Sequence, residues 1–229
     1  MLDVDSTLSA IEGIDWLAAR RSREVGDRVT QLTERAMRGE VPLGGVYADR
    51  LDSVRPTRDE IAALGRAYVE GMEPGVERSL ALLTNAGIRI VVVTAGLRDG
   101  ILPLARALGI PEEAVYAVAT RFTDSGEYAG FDVESPLTQN GGKVKVVRGL
   151  DLQRPILAVG DGITDLELRT VDPPAVDAFA AYARVVERPP VIRAADYVIR
   201  SFDELPAIVL GIRETATNGS PRSRIPGRE

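Results

Sequence analysis

The chain has 229 residues, a length that suits one large domain or a core domain with one insertion. It contains neither histidine nor cysteine, which excludes Ser-His-Asp triads, imidazole bases, thiolate nucleophiles, disulfides and zinc sites built from those residues. The net charge of -6 argues against general nucleic-acid binding, because that affinity comes mainly from cations that meet phosphates.

Short apolar runs typical of β-strands alternate with helical stretches along most of the chain. This alternation predicts a doubly wound, Rossmann-like α/β fold with a parallel sheet. We predict strands over residues 88–94, 156–160, 175–179 and 197–199. Within residues 115–131, a turn sequence between two β-like arms predicts a hairpin or a flap.

Residues 11–71 lack a β-like run and place apolar residues at helical spacing. We therefore predict a helical cap inserted after the first strand, with the α/β core formed by residues 1–10 and 72–214. The polar, Pro- and Gly-containing residues 215–229 are expected to be a disordered tail. The longest apolar runs fall far short of the roughly 20 residues of a membrane span, so we expect a soluble cytoplasmic protein.

Two acidic clusters lie where strands are expected to end. Asp3 and Asp5 form the first cluster, and Asp161 and Asp165 follow the strand predicted over residues 156–160. Either cluster alone also fits a helix N-cap or a common turn. Together, however, four carboxylates at neighbouring strand ends repel one another unless a cation neutralises them. Oxygen ligands of this kind favour Mg²⁺.

Two further features suit the binding of an oxyanion. Thr94, Ala95 and Gly96 end a predicted strand and offer side-chain and backbone donors, with a helix N-cap and turn glycine as the alternative. Lys143 follows two glycines and is one of only two lysines among 28 cationic residues, which favours a site that requires a compact ammonium. The same bias applies to Lys145, so composition alone leaves a solvated surface lysine as the alternative.

The order and spacing of these motifs resemble the four motifs of the haloacid dehalogenase superfamily of phosphatases. Within that superfamily the chain resembles the phosphoserine phosphatases, on the basis of residues 11–15, 126–131, 135–136 and 141–143. The resemblance covers residues 1–214. It implies a Mg²⁺-dependent hydrolysis of O-phospho-L-serine to L-serine and phosphate, the last step of serine biosynthesis, through an aspartyl-phosphate.

The resemblance also implies a role for each motif residue. Asp3 is expected to be the nucleophile, and Asp5 the general acid and then the general base. The expected phosphate-binding residues are Thr94, Ala95 and Lys143. The expected Mg²⁺ ligands are Asp3, the backbone carbonyl of Asp5, Asp161 and, through a water molecule, Asp165.

Four further residues are expected to bind the substrate. Glu12 matches the family's acidic residue for the substrate ammonium, and Arg50 matches the arginine that holds the substrate carboxylate. Leu43 stands on the cap where an aromatic residue is often found, and Thr164 stands where many members carry Asn. Without the resemblance, Glu12 and Arg50 would be interpreted as charges on a solvated helix face.

The sequence leaves several alternatives open. The family's first strand normally has apolar residues upstream of the nucleophile, so either that strand is short here or the native start lies upstream of Met1. The substrate is a small molecule, and we expect neither nucleic acid nor membrane as a partner and either a monomer or a homodimer. The alternative functions are a phosphatase or phosphotransferase for another small phosphomonoester, and a non-catalytic protein that binds phosphometabolites.

Overall fold

The computed structural model describes residues 1–37, 40–41 and 43–217, without the side chains of residues 37, 43, 44 and 212–217. The α-helices are α1 Gly13–Ala18, α2 Arg23–Met37, α3 Leu43–Val54, α4 Arg58–Glu70, α5 Val76–Asn85, α6 Arg98–Ala107, α7 Gly142–Gly149, α8 Ile163–Thr170, α9 Pro189–Ala194 and α10 Leu205–Thr217. The β-strands are β1 Val92–Leu97, β2 Val115–Val118, β3 Thr120–Phe122, β4 Tyr128–Phe131, β5 Leu157–Gly160, β6 Ala178–Tyr182 and β7 Tyr197–Ile199. In the described part of the chain, no helix combines the length and the apolar character needed to cross a membrane.

A parallel sheet forms the centre of the fold, and a short extended segment around Leu2 joins its two halves. Leu2 bridges β1 and β5 through Val92 and Val159, which gives the order β2, β1, Leu2, β5, β6, β7. The Leu2 N–H donates to the Val91 carbonyl at 2.9 Å, and the Asp3 N–H donates to the Val159 carbonyl at 3.0 Å. The α/β fold predicted from the sequence is confirmed, and Asp3 lies at the carboxyl end of the central segment.

Two predicted strands are displaced along the chain. The strand expected at residues 88–94 begins at Val92 and extends to Leu97, because its sheet partners lie at Leu2 and along β2. The strand expected at residues 175–179 begins at Ala178, because the N–H groups of Ala175 and Val176 donate to the Leu168 carbonyl and cap α8. Strands β5 and β7 lie where they were predicted.

The predicted hairpin is confirmed, but it occupies only part of the segment from residue 115 to residue 131. Strands β3 and β4 pair antiparallel, and Gly126, at a φ of +85°, occupies the turn between them. Strand β2 instead pairs in parallel with β1 and extends the central sheet. The sequence interpretation missed β2, because this strand is only four residues long. A segment of that length shows no periodicity that would distinguish a strand of the central sheet from one arm of a hairpin.

The segment predicted as a helical insertion is built from α1 to α4. Helix α4 begins after Pro56 with a capping box, in which Thr57 accepts from the Glu60 N–H and the Glu60 carboxylate accepts from the Thr57 N–H at 2.8 Å. It packs closely on α6, since a Cβ at Gly65 would lie 2.7 Å from Pro103. The boundary between cap and core stays a prediction.

The apolar core surrounds the central segment of the sheet. Val4, Val93 and Ala158 are completely buried there, and Leu17 and Leu51 of the helical insertion belong to the same buried cluster. The insertion therefore packs directly over the carboxyl ends of the central strands. Helix α10 ends at Thr217, so the first three residues of the predicted tail are helical, and residues 218–229 lie outside the described residues.

Candidate active site

A pocket lies at the carboxyl ends of the central strands, below the helical insertion. Its buried floor is polar, and its half-buried rim comes from four segments of the chain. The residues that line it are Asp3, Asp5, Glu12, Thr94, Ala95, Leu137, Gln139, Gly142, Lys143, Asp161 and Thr164. All five predicted catalytic and phosphate-binding residues therefore lie together.

Lys143 is the cation at the centre of the pocket floor. Its Nζ lies 2.9 Å from Asp3 Oδ2 and 2.7 Å from Asp165 Oδ1. Burial lowers the pKa of Lys143, but the carboxylates of Asp165 and Asp3 outweigh burial and raise the pKa above its ordinary value. Lys143 is therefore a permanent ammonium in contact with the predicted nucleophile.

Local backbone geometry presents Lys143 to the pocket. Gly141 adopts a positive φ of 69° immediately before α7, where a side chain would be strained. Gly142 lies so close to the preceding turn that a Cβ there would be 1.8 Å from the Pro136 carbonyl oxygen. The two glycines bring the first turn of α7 against the pocket, and Lys143 is 6% exposed as a result.

Asp161 lines the pocket floor, and Asp165 is buried close to it, in contact with Lys143. Gly160, at the end of β5, leaves the space that Asp165 occupies, because a Cβ at Gly160 would lie 2.2 Å from the Asp165 Cγ. Burial, followed by the charge of Asp3, raises the pKa of Asp165 well above its usual value. Burial also raises the pKa of Asp161, although Arg188, at 3.0 Å from Asp161 Oδ2, opposes that rise.

The carboxylates of Asp3, Asp161 and Asp165 fit a metal ion. One oxygen of each lies within 4.8 Å of the other two, and all three residues are buried. Asp3 Oδ1 is buried and has no hydrogen-bond partner among the described residues, an arrangement that is costly unless a cation or ligand contacts this oxygen. Carboxylate oxygens are the ligands that Mg²⁺ prefers.

Thr94 and Ala95 lie in an irregular part of β1. The pairing of β1 with β2 shifts register between Val93 and Leu97, and the Thr94 hydroxyl accepts from the Gly96 N–H at 3.1 Å. Tyr47 of α3 donates its hydroxyl to the Ala95 carbonyl at 2.8 Å, which ties the insertion to this turn. Thr94 and Ala95 both line the pocket, and their role in phosphate binding stays a prediction.

Asp5 is half-buried above the floor and has a fixed orientation. Its Oδ1 accepts hydrogen bonds from the Tyr68 hydroxyl at 2.5 Å and from the Gly13 N–H at 3.0 Å. Burial raises the pKa of Asp5 to about 7, against the opposing effect of the Tyr68 hydrogen bond. A carboxyl with a pKa near neutrality can both give and take a proton, which is the property that a general acid and base requires.

Glu12 lines the pocket beside Asp5, and Ser6 holds it there. The Ser6 hydroxyl donates to Glu12 Oε1 at 2.6 Å, from a backbone with a φ of +52° that is uncommon for a residue other than glycine. Burial and the charges of Asp5 and Asp161 raise the pKa of Glu12 well above its usual value. A ligand ammonium would relieve this unfavourable charge and favour the ionised carboxylate.

Arg50 lies behind the pocket, and the described lining does not include it. This arginine is 5% exposed, and its guanidinium donates to Asp15 Oδ2 at 2.8 Å. The Arg50 Nε is buried and has no hydrogen-bond partner among the described residues. Thr33 donates to the same oxygen of Asp15 at 2.6 Å. The side chain of Leu43, the remaining predicted substrate contact, lies outside the described residues.

Sequence reasoning missed four residues at the site. Leu137 and Gln139 line the pocket just before the glycines of Lys143, so their position in that motif was the available signal. Tyr68 and Arg188 contact Asp5 and Asp161 from α4 and from the residue before α9. No local pattern marks these two residues, because the contact depends on how distant elements pack.

Comparisons of sequence and fold relate the chain to known proteins. The model of the haloacid dehalogenase-like hydrolase family matches residues 1–168. Over 206 residues, the chain is 36% identical to the chloroplastic phosphoserine phosphatase of Arabidopsis thaliana, covering 89% of this chain and 68% of that protein. It is 35% identical to the phosphoserine phosphatase of Homo sapiens, covering 89% of each. The fold is similar to that of a phosphoserine phosphohydrolase-like protein from Francisella tularensis, with a TM-score of 0.81 and 26% identity, covering 91% of this chain and 97% of that one.

Proposed function

The chain belongs to the haloacid dehalogenase-like hydrolases, within their phosphoserine phosphatases, and we propose that it hydrolyses O-phospho-L-serine to L-serine and phosphate with the help of Mg²⁺. One observation carries the proposal: Asp3, Asp5, Lys143 and Asp161 line one pocket, and the buried Asp165 contacts Lys143 at 2.7 Å. A nucleophile, an acid, a phosphate-binding cation and a set of metal ligands are thereby in reach of a single phosphoryl group. A place at the end of serine biosynthesis follows if phosphoserine is the physiological substrate.

In the first step, a carboxylate oxygen of Asp3 attacks phosphorus. The bond between phosphorus and the serine oxygen breaks, and Asp5 gives its proton to that oxygen, so that neutral serine leaves. Lys143 and the turn of Thr94 and Ala95 hold the phosphoryl oxygens while charge shifts among them. Asp3 then carries the phosphoryl group as an acyl phosphate, and Asp5 is a carboxylate.

In the second step, a water molecule gives a proton to Asp5 while its oxygen bonds to phosphorus. The bond between phosphorus and Asp3 breaks, which releases phosphate and restores the Asp3 carboxylate and the protonated Asp5. The proton of Asp5 is thus regenerated once per cycle. A pKa of about 7 allows Asp5 to alternate between its two forms near neutral pH.

Asp3, the backbone carbonyl of Asp5 and Asp161 would hold the Mg²⁺ ion, and Asp165 would bind it through a water molecule. The ion would supply positive charge that lets the anionic Asp3 approach an anionic phosphate. The support for this set is the buried cluster of Asp3, Asp161 and Asp165, together with the orphaned Asp3 Oδ1.

Glu12 and Arg50 would select an amino-acid phosphate by its ammonium and carboxylate groups. Glu12 lies in the pocket and would accept from the substrate ammonium. Arg50 is close enough to the site for its charge to oppose the rise in the pKa of Asp5. Its planar guanidinium can bind a carboxylate through two parallel hydrogen bonds. Its pairing with Asp15 would hold the guanidinium in place before the substrate arrives. Leu43 and Thr164 would complete the wall of the substrate site.

The test of function is phosphate release from phosphoserine by wild type, Asp3→Asn and Asp49→Asn, each with Mg²⁺. Asp49 is an exposed aspartate of α3 and serves as the matched control. We expect wild type and Asp49→Asn to release phosphate and to form an acid-stable phosphoenzyme, and Asp3→Asn to do neither. Equal activity of all three proteins would overturn the assignment of Asp3, and inactivity of the wild type would overturn the function.

The test of substrate choice compares phosphoserine with phosphoethanolamine, which lacks the carboxylate. Arg50→Ala should raise KM for phosphoserine at least tenfold and change KM for phosphoethanolamine little, because only phosphoserine loses an ionic partner. Arg23→Ala, at a cap arginine whose side chain is 94% exposed, should alter neither value. If Arg50→Ala affects both substrates equally, another small phosphomonoester becomes the better assignment.

A further inference from the structure

We propose that Tyr68 is a positioning residue of the reaction: its hydroxyl holds one oxygen of Asp5 so that the other oxygen faces the leaving group and, later, the attacking water. The inference rests on the proposed function, since it assumes that Asp5 transfers the proton. It adds a residue from α4 to the catalytic arrangement, whereas the motif residues that carry the chemistry lie outside the segment from α1 to α4.

The two carboxylate oxygens of Asp5 have different surroundings. Oδ1 accepts two hydrogen bonds, from the Tyr68 hydroxyl at 2.5 Å and from the Gly13 N–H at 3.0 Å. In the described part of the chain, no hydrogen bond reaches Oδ2. With Oδ1 acting twice as an acceptor, the proton of the neutral acid belongs on Oδ2.

Asp5 Oδ2 lies near Gly96 and Thr94 of β1. A Cβ placed on Gly96 would be 3.3 Å from Asp5 Oδ2 and 3.4 Å from the Thr94 hydroxyl oxygen. The free oxygen of Asp5 therefore lies beside the segment of Thr94, which the proposed mechanism assigns to the phosphate. For a phosphate bound there, a proton on Oδ2 would face the leaving group, and rotation of the carboxyl would remove it from that position.

Tyr68 is held in place by close packing. Its side chain is completely buried. Helix α4 is fixed against α6, where a Cβ on Gly65 would lie 2.7 Å from Pro103 and a Cβ on Gly100 would lie 3.1 Å from Leu64. The hydroxyl of Tyr68 also fills the space above Gly13, where a Cβ would lie 2.1 Å from it. The donor is thus held by packing on two sides.

The structure also keeps the Tyr68 hydroxyl protonated. Burial, followed by the neighbouring charge of Asp5, raises the pKa of Tyr68 well above its usual value. The direction of this shift agrees with the geometry, in which the hydroxyl donates to Asp5 Oδ1.

The experiment compares two substrates that differ in their need for an acid. Serine leaves as a strongly basic oxygen and needs a proton, whereas p-nitrophenolate is stable without one. We expect Tyr68→Phe to lower kcat/KM for phosphoserine by about tenfold or more and to change kcat/KM for p-nitrophenyl phosphate by less than about threefold. Tyr182→Phe is the matched control, because Tyr182 is equally buried and donates its hydroxyl to the carboxylate of Glu73, outside the pocket.

Two results would overturn the inference. One is a Tyr68→Phe protein that matches Tyr182→Phe on phosphoserine, and the other is an equal loss on both substrates, which a general loosening of the fold would produce. A double-mutant cycle adds a further check: in the Asp5→Asn background, Tyr68→Phe should cause no further loss on phosphoserine. Additive losses would contradict a role through Asp5.

A second variant and a second substrate allow the test to be completed if the first variant does not fold or if phosphoserine is not hydrolysed. If Tyr68→Phe does not fold, Gly13→Ala displaces the same hydroxyl and should give the same dependence on the leaving group. If the wild type hydrolyses p-nitrophenyl phosphate but not phosphoserine, the proposed substrate is wrong. The comparison is then made with whichever alkyl phosphate the wild type hydrolyses, and its outcome for Tyr68 is judged in the same way.

Discussion

At the scale of single residues, the pocket depends on small side chains that leave room for charged ones. Gly160 makes the space for Asp165, and Gly13 makes the space for the Tyr68 hydroxyl. In both places a missing Cβ allows a polar group to approach the backbone more closely than van der Waals contact with a methyl would permit. The two glycines therefore fix the positions of the Asp165 carboxylate and of the Tyr68 hydroxyl.

Gly160→Ala should disturb the acidic pair directly. The added methyl would lie 2.2 Å from the Asp165 Cγ, so Asp165 must move, and overpacking of this kind costs about 1–3 kcal/mol. We expect a lower urea midpoint and a large loss of phosphatase activity. Gly149→Ala, at an exposed helical site with open space around it, should leave activity unchanged and stability equal or slightly higher. Similar behaviour of the two variants would contradict the assigned role of Gly160.

The sequence predicted the motif residues because parallel strands bring their carboxyl ends to one edge. Asp3 follows the paired Leu2, Asp161 follows β5 and Thr94 lies within β1, so their meeting needed only the fold class. The positions of Tyr68 and Arg188 needed the packing of α4 and of the segment before α9, which no short pattern encodes. The family resemblance predicted Arg50 as a substrate-binding residue, but nothing in the sequence predicted its ion pair with Asp15.

At the scale of elements, the beginning of α4 joins three parts of the chain. Its capping residue Glu60 also binds Arg21, at the end of the α1 region, with 2.5 and 2.8 Å between guanidinium nitrogens and carboxylate oxygens. The Arg58 N–H donates to the Gly126 carbonyl in the hairpin at 2.9 Å. The start of the helix was predictable from Pro56 and the Thr-x-x-Glu pattern, whereas its attachment to Arg21 and the hairpin was not.

Glu60→Gln should reveal this junction through its pH dependence. The hydrogen bond from Arg21, more than any other contact, lowers the pKa of Glu60 from 4.5 to about 2. A lowered folded-state pKa stabilises the fold fully above 4.5, and this stabilisation is lost as pH falls towards 2. We expect Glu60→Gln to cost about 1 kcal/mol at pH 7 and to match wild type near pH 2, measured by urea unfolding. Glu70→Gln, at the exposed end of α4, should show no such cost, and a pH-independent difference for Glu60→Gln would contradict the argument.

At the scale of the whole molecule, the chain concentrates part of its negative charge inside. The net charge is -6, and three of its carboxylates lie buried within 4.8 Å of one another, balanced by Lys143 and Arg188. Lys143 and Arg188 do not fully neutralise these three carboxylates, so the site favours the binding of further positive charge. Binding of a divalent cation should therefore stabilise the entire fold.

Mg²⁺ should raise the thermal midpoint of the wild-type protein. At a free concentration one hundred times Kd, binding to the folded state alone adds about 2.7 kcal/mol, which corresponds to a rise of roughly 5–10 °C for a chain of this size. Asp161→Asn should show a much smaller rise, and NaCl at equal ionic strength should not reproduce the effect in the wild type. An equal response of both proteins to Mg²⁺ would place the ion elsewhere.

The joining of the sheet through Leu2 has a consequence for the order in which the protein takes shape during translation. Leu2 is synthesised long before Val92, and Val92 long before Val159, yet the Leu2 segment completes its pairing only when both are present. The β2–β1 half and the β5–β6–β7 half are local enough to begin forming separately, since pairings across long stretches of chain are slow. Asp3 therefore gains its final surroundings only after β5 has been synthesised, so the nascent chain carries no assembled phosphatase site until that strand is available.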